Sequence, residues 1–364
     1  MSPRLPLVLL LLPLGACVAT PPDDPPLLPD AESDDVIVVH APFTGDATVA
    51  VIDPSTLQIS DGLLGLSGSD WVPQTADGSV WLLGRYGIDV VRRYADTEFG
   101  APTFEVSTGA GTNPQALAWC GGRLYLSRYD VGDDGGGDVV VLDPDTGAQT
   151  ARIDLGAWAE SADGTPEPAQ LVPLGDTLYV ALERLDRDAG WVPDPTGRVL
   201  AIDCVSGAVV DEYVTGPNPD IEPAGPALAV RTDTGIQFLV PGEGLTSVLE
   251  PDALSGAVDF LGLGAAGDAG LVVLEQGGDP GNEVWCLDLR TGARELLDTR
   301  AERAWSVRSG PDGRVWVLWR DHWATGEIET GGIAVYDPAA CSEITDGLLV
   351  FPSDPAAIAF RSGS

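Results

Sequence analysis

Pro114-Gln115-Ala116-Leu117-Ala118, Leu124 to Arg128, Asp138-Val139-Val140-Val141-Leu142-Asp143 and Ala151-Arg152-Ile153-Asp154-Leu155 are four short apolar runs. They follow one another within about forty residues, separated by Gly, Asp and Pro. Runs of four to six residues rich in Val, Leu and Ile between such turns read as antiparallel strands, four to a unit. The unit recurs. Its most recognisable phrase, a turn with Gly or Asp and then an apolar strand with a large second residue, appears at Gly78-Ser79-Val80-Trp81-Leu82-Leu83, Gly122-Arg123-Leu124-Tyr125-Leu126-Ser127, Asp176-Thr177-Leu178-Tyr179-Val180-Ala181 and Gly313-Arg314-Val315-Trp316-Val317-Leu318. Weaker copies lie at Val36, Ile236 and Leu271. A period in the tens of residues means that each unit buries its face on its neighbours. Four strands per unit, repeated seven times, predict an all-β, seven-bladed β-propeller of four-stranded antiparallel blades.

Details of the repeat orient it. First strands carry small residues, as in Pro168-Ala169-Gln170-Leu171 and Pro226-Ala227-Leu228-Ala229, which suits the crowded axis. Third strands end in an acid (Asp53, Asp143, Asp203, Glu250, Asp288, Asp337) before a turn, where a carboxylate accepts turn amide hydrogen bonds, so these acids are structural. Pro355-Ala356-Ala357-Ile358-Ala359-Phe360 has a first-strand pattern with nothing after it, whereas the repeat begins at Val36 with a second-strand pattern. The C-terminal strand is therefore expected to complete the N-terminal blade and remove the open edge. Blade 5, placed around Ala227 to Leu254, is the least clearly marked. Val284-Trp285-Cys286-Leu287-Asp288 reads as a third strand.

The Asp-Pro-x-Thr-Gly turns, the Pro-x-Ala strands and the length resemble the YVTN or YncE-like seven-bladed propeller repeats over essentially all of the chain after Asp35, although the Tyr-Val-Thr-Asn phrase is absent. The resemblance implies the fold and an envelope setting, and no single reaction. The Asp-x-x-Thr-Gly turns at Asp143 and Asp288 are shared with quinoprotein repeats, but neither is closely followed by the Trp expected there.

The N-terminus carries an address. Arg4, an apolar run from Leu5 to Leu14 and then small residues form an export leader, too short to span a bilayer. Leu14-Gly15-Ala16-Cys17 resembles the lipobox of bacterial lipoproteins, which implies cleavage after residue 16, lipidation of Cys17 and a membrane partner through the acyl chains. Val18 after the Cys implies the outer membrane of a Gram-negative cell. The chain thus divides into a leader (1–16), a lipidated Cys with a Pro/Asp-rich tether (17–35) and the propeller (36–361). Repelling acids and Pro hold the tether extended, to about 55 Å at most.

The 364 residues carry 56 acidic and 19 basic side chains, a net charge of −37, and no lysine. Such a field excludes nucleic acid as a partner and suits a salty or cation-rich exterior. Four further cysteines, Cys120, Cys204, Cys286 and Cys341, suit disulfides in an exported chain. The blade order favours Cys120 with Cys204 and Cys286 with Cys341 among the three possible pairings; no Cys-x-x-Cys spacing suggests zinc.

Function in a propeller is expected on the face where second-to-third-strand loops and interblade loops meet. Second strands there end at Arg85, Arg128, Glu183, Glu275 and Arg320, the candidate ligand face. The two histidines, His40 and His322, fall on neighbouring blades of that face and with Asp321 form a candidate divalent-cation site; otherwise no cofactor is expected. The acidic stretch Asp130 to Asp138 fails as an EF-hand, because Val141 stands where a bidentate Glu is needed. No Gly-x-Ser-x-Gly, His-Glu-x-x-His or phosphate-cradling Gly-Lys-Ser/Thr motif occurs. These features fit a non-enzymatic envelope module that binds a protein, peptide or glycan. A propeller hydrolase, lactonase or lyase with a metal or an acidic and Arg-lined funnel is the alternative.

Overall fold

The computed structural model describes residues 33–159, 163–249, 257–276, 282–320 and 331–362. Seven antiparallel sheets follow one another along the chain as seven blades. In blade 3, Pro114–Cys120 is innermost, then Arg123–Arg128, Asp138–Leu142 and Gln149–Asp154 outermost. Blade 2 runs Trp71–Ala76, Ser79–Gly84, Val90–Tyr94 and Phe104–Ser107 in the same order. No helix among the described residues is long and apolar enough to cross a membrane.

Seven hydrophobic clusters alternate with the blades, one at each interface between neighbours. Residues on a blade alternate between its two faces, so each strand feeds two clusters. Trp81 packs toward blade 3, Tyr125 toward blade 4, Tyr179 toward blade 5 and Trp316 toward blade 1, all essentially buried. The recurring aromatic phrase is interblade packing. At the axis space is tighter: a Cβ on Gly262 or Gly264 would meet Val307 or Val315 of blade 7 at 2.4 Å, so the inner strand of blade 6 needs glycine at both.

The ring closes as anticipated. Pro355–Ser362 pairs antiparallel with Ser33–His40, in register Ile358 to Val38, and forms the inner strand of blade 1. Val36, Val38, Trp316, Leu318, Ile333 and Ile358 then share one cluster between the last and first blades.

Five third strands end in the expected capping acid. Asp53 accepts from the Ser55 amide at 2.8 Å, and Asp143, Asp203, Asp288 and Asp337 each accept two turn amides in the same way. The Ser55 hydrogen bonds hold the Asp53 carboxyl at about 2.

Blade 5 corrects the sequence reading by one strand. Its inner strand is Asp220–Ala224, and Ala227–Thr232 is its second. Gly225, at φ 60°, makes the tight turn between them. Ile236 therefore sits in the third strand, Gly235–Val240, and Glu250 falls after the outer strand, outside the described residues. The error has a physical source. The true inner strand places Asp220 and Glu222 toward the channel and lacks an apolar pattern, while Pro226-Ala227-Leu228 imitates the small-residue first strands elsewhere.

Both cysteine pairs are disulfide-bonded on the face opposite the second-to-third-strand loops. Cys120 joins Cys204 across blades 3 and 4 (Cα–Cα 5.5 Å), and Cys286 joins Cys341 across blades 6 and 7 (5.7 Å). Gly121 makes the first possible, since a Cβ there would stand 2.8 Å from that of Cys204.

Candidate functional site

Inner strands start on the face that carries the second-to-third-strand loops, so their first residues surround the channel mouth. There a cavity of about 390 Å³ opens between the blades, with a largely polar wall. Gln115 and Gln170 come from the inner strands of blades 3 and 4, Asp220 and Glu222 from blade 5, and Trp305 and Arg308 from blade 7; Arg85, Glu183 and Arg231 enter from second strands and the loops after them.

The wall is a linked polar network. Arg308 Nη1 lies 3.2 Å from Glu222 Oε1 and 3.9 Å from Asp220 Oδ2. Gln170 donates through Nε2 to Asp220 and accepts the Ile221 amide at 2.6 Å, which ties blade 4 to blade 5. Arg85 donates to Asp70 and, at 2.6 Å, to Gln115 Oε1, while Gln115 Nε2 donates to Asn113. Planar amide and guanidinium groups are thus fixed before any ligand arrives, which lowers the entropic cost of using them.

Two carboxyls in this wall are held far from their ordinary range. Burial pushes Glu222, whose side chain is 9% exposed, up to about 7, with Arg308 pulling the other way. Burial likewise raises Glu183 to about 7 against a 2.5 Å hydrogen bond from the Tyr129 hydroxyl. Each therefore passes between acid and carboxylate near neutrality, as a proton donor or acceptor must.

The sequence candidates divide. Arg85 and Glu183 line the cavity. Arg320 stands behind its wall, 4.5 Å over the Trp305 ring, with Asp354 at 3.8 Å. Glu275 faces Arg303 at 3.4 Å and is not part of the wall. Arg128, 1% exposed, makes a two-pronged pair with Asp138 at 2.6–2.7 Å and reaches Asp134 at 2.6 Å, so it clamps the loop after its strand. Asp130 faces the guanidinium of Arg187, and Asp138 also that of Arg152. His40 is 2% exposed; its Nδ1 meets Ser353 Oγ and its Nε2 meets Asp61 Oδ1, both at 2.7 Å, so both ring nitrogens are engaged inside blade 1. Cys17, Asp321 and His322 lie outside the described residues. Among the described residues no group of three or more His, Cys, Asp or Glu is placed to hold a metal ion.

Asp220, Glu222, Arg231, Trp305 and Arg308 were missed by sequence reasoning. Attention to ends of second strands hides residues of the inner strands themselves, and the shifted blade 5 removed two of them from view. Polar residues at alternate positions of an otherwise small-residue strand, as in Asp220-Ile221-Glu222, were the available signal.

No family model and no curated protein matches the chain. Solved structures resemble it over nearly its whole length. The periplasmic gluconolactonase PpgL of Pseudomonas aeruginosa superposes with a TM-score of 0.63 at 12% identity, covering 90% of this chain and 99% of that one. A 6-phosphogluconolactonase candidate from Bacteroides uniformis gives 0.61 at 13%, covering 90% and 99%. The β-propeller domain of Cps50 (Swd1) from Myceliophteria thermophila gives 0.59 at 14%, covering 84% and 94%. At such identities the likeness is one of fold, and function must be argued from the site.

Proposed function

We propose that this chain is an exported, lipid-anchored, YncE-like propeller that binds a small polar ligand, or the polar end of a larger one, in the mouth of its central channel. The observation that carries this is the convergence of Gln115, Gln170, Asp220, Glu222 and Arg308 from four blades on one cavity, with Trp305 at its side. A concave site with a few fixed polar groups is the usual form of a small-molecule site. Hydroxyl-rich ligands suit it, since amide, carboxyl and guanidinium groups supply donors and acceptors in fixed directions. The leader, Cys17 and tether support attachment to the outer membrane. The test is a thermal-shift and calorimetric panel of sugars, sugar acids and short peptides against the intact mature chain. A binder weakened at least about tenfold by Arg308→Gln or Glu222→Gln supports the proposal, whereas a binder indifferent to both refutes it. Labelled palmitate incorporation that survives Cys17→Ala would refute the anchor.

A second reading, hydrolysis of a sugar lactone, is favoured by Glu222 standing at about 7 beside Arg308. As a carboxylate it would take a proton from water attacking the lactone carbonyl, with Arg308 facing the oxyanion. The tetrahedral intermediate then collapses, the ring C–O bond breaks, and the leaving oxygen takes back the proton held by Glu222, giving the hydroxy acid and returning the carboxylate. Lactone turnover lost in Glu222→Gln supports catalysis; no turnover above the uncatalysed rate refutes it.

A further inference from the structure

The exposed aromatic side chains among the described residues are Phe43, Tyr86, Trp191 and Trp305, each at least 51% exposed. All four belong to the mouth face. Phe43, Tyr86 and Trp191 lie between the second and third strands of blades 1, 2 and 4, and Trp305 near the start of the inner strand of blade 7, in the cavity wall. Scattered exposed apolar residues are ordinary. Confinement of every exposed ring among the described residues to the face that surrounds the cavity is not.

Two of these rings are held from behind. The Arg187 guanidinium lies 5.0 Å from the Trp191 ring centre and that of Arg320 4.5 Å from Trp305. Arg187 is anchored by Asp130 and Glu167, and Arg320 by Asp354 and the Ala41 carbonyl. Each ring therefore has a backed face and an exposed remainder, and little rotamer freedom is left to lose on binding.

A protein partner needs a continuous apolar core to its interface. Here the rings stand on four different blades among Asp- and Gly-containing loops, as separate flat platforms in polar surroundings. That arrangement fits pyranose rings, whose C–H faces pack on aromatic rings while their hydroxyls take hydrogen bonds from neighbouring carboxyls and amides. Exposed Asp46 and Asp188 on the loops of Phe43 and Trp191, and Asp133 on the corresponding loop of blade 3, within a chain of net charge −37, oppose uronate- or phosphate-bearing polymers.

The geometry points to a platform for a neutral or amino-bearing polysaccharide, with its terminal unit in the channel mouth and further sugar rings stacked on the exposed aromatics. The seating of the terminal unit rests on the channel-binding proposal above. Calorimetry on the mature chain tests it with neutral hexasaccharides of glucose, mannose and N-acetylglucosamine, a glucosamine hexamer, hexagalacturonate, and the matching monosaccharides. At least one neutral or amino hexamer is expected to bind more tightly than its monomer, and hexagalacturonate not to bind. Trp305→Ala and Trp191→Ala each weaken the hexamer by about tenfold, Trp191→Phe restores most of the loss, and Val210→Ala on the outer strand of blade 4 changes nothing. A ligand that depends on Arg308 but is indifferent to Trp191→Ala, with no gain from monomer to hexamer, overturns the platform and leaves the channel site standing. Hexamer binding that depends on Trp191 but on neither Arg308 nor Glu222 overturns the seating and the channel proposal. Absence of binding to every neutral and amino hexamer overturns the platform, as does preference for hexagalacturonate.

Discussion

Glu222→Gln is the perturbation whose size follows most directly from the channel. In the unfolded chain this carboxyl titrates near 4.5, and in the folded one burial holds it at about 7. Between those values the folded state binds more protons than the unfolded state, so stability must fall as pH rises. The contribution is fully present below 4.5 and lost above 7. Across that window it amounts to about 3 kcal/mol, at 1.36 kcal/mol per pH unit. Gln keeps the shape of the protonated acid and cannot ionise, so it abolishes this dependence while Glu183, also at about 7, retains its own. Urea unfolding followed by tryptophan fluorescence at pH 5, 6, 7 and 8 reads the difference. The variant should gain on the wild type by about 2–3 kcal/mol between pH 5 and pH 8. Curves for the two proteins that stay parallel within about 0.5 kcal/mol would show that Glu222 is ionised throughout, and would remove the basis for assigning it proton chemistry.

Deleting residues 355–362 removes the inner strand of blade 1 and opens the cluster it shares with blade 7; the truncated chain should lose its cooperative unfolding transition by calorimetry, and an unchanged transition would refute closure by this strand. Reducing Cys120–Cys204, which closes 84 residues, or Cys286–Cys341, which closes 55, should each lower unfolding free energy by about 2–4 kcal/mol in denaturant titrations of the Cys-to-Ser pairs. Arg128→Ala leaves Asp138, which has no solvent exposure, with Arg152 as its remaining guanidinium partner; a loss of about 1–3 kcal/mol follows in urea unfolding, with ligand affinity preserved.

The fold was legible because its signals are local and repeated. Strand period, capping acids such as Asp143 and the unpaired patterns at Val36 and Pro355 each specify a position in the ring without knowledge of any distant residue. The site was legible only where it borrows from the repeat. Arg85 and Glu183 follow second strands that the aromatic phrase announces, so their place at the mouth could be inferred. Arg128 stands one residue nearer to its repeat's aromatic, three after Tyr125 where Arg85 and Glu183 stand four after Trp81 and Tyr179, so it faces the other side of its strand. Which partners it meets there, Asp134 and Asp138, depends on loop geometry and not on spacing. His40 shows the same limit: chain position puts it on the correct face, but Asp61 and Ser353, 21 and 313 residues away, draw both ring nitrogens inward. Glu222 and Arg308 lay beyond reach because burial of charge, which gives them their chemistry, appears only when blades 5 and 7 meet across the axis.

A crystal structure of the mature chain with its tightest panel ligand tests the central claim most directly. The account predicts the ligand in the channel mouth, hydrogen-bonded to Glu222 or Arg308 and in contact with Trp305. Occupancy instead of the shallow pocket on the opposite face, bounded by Asp268, Asp288, Arg294 and Pro338, with the channel empty, would contradict it.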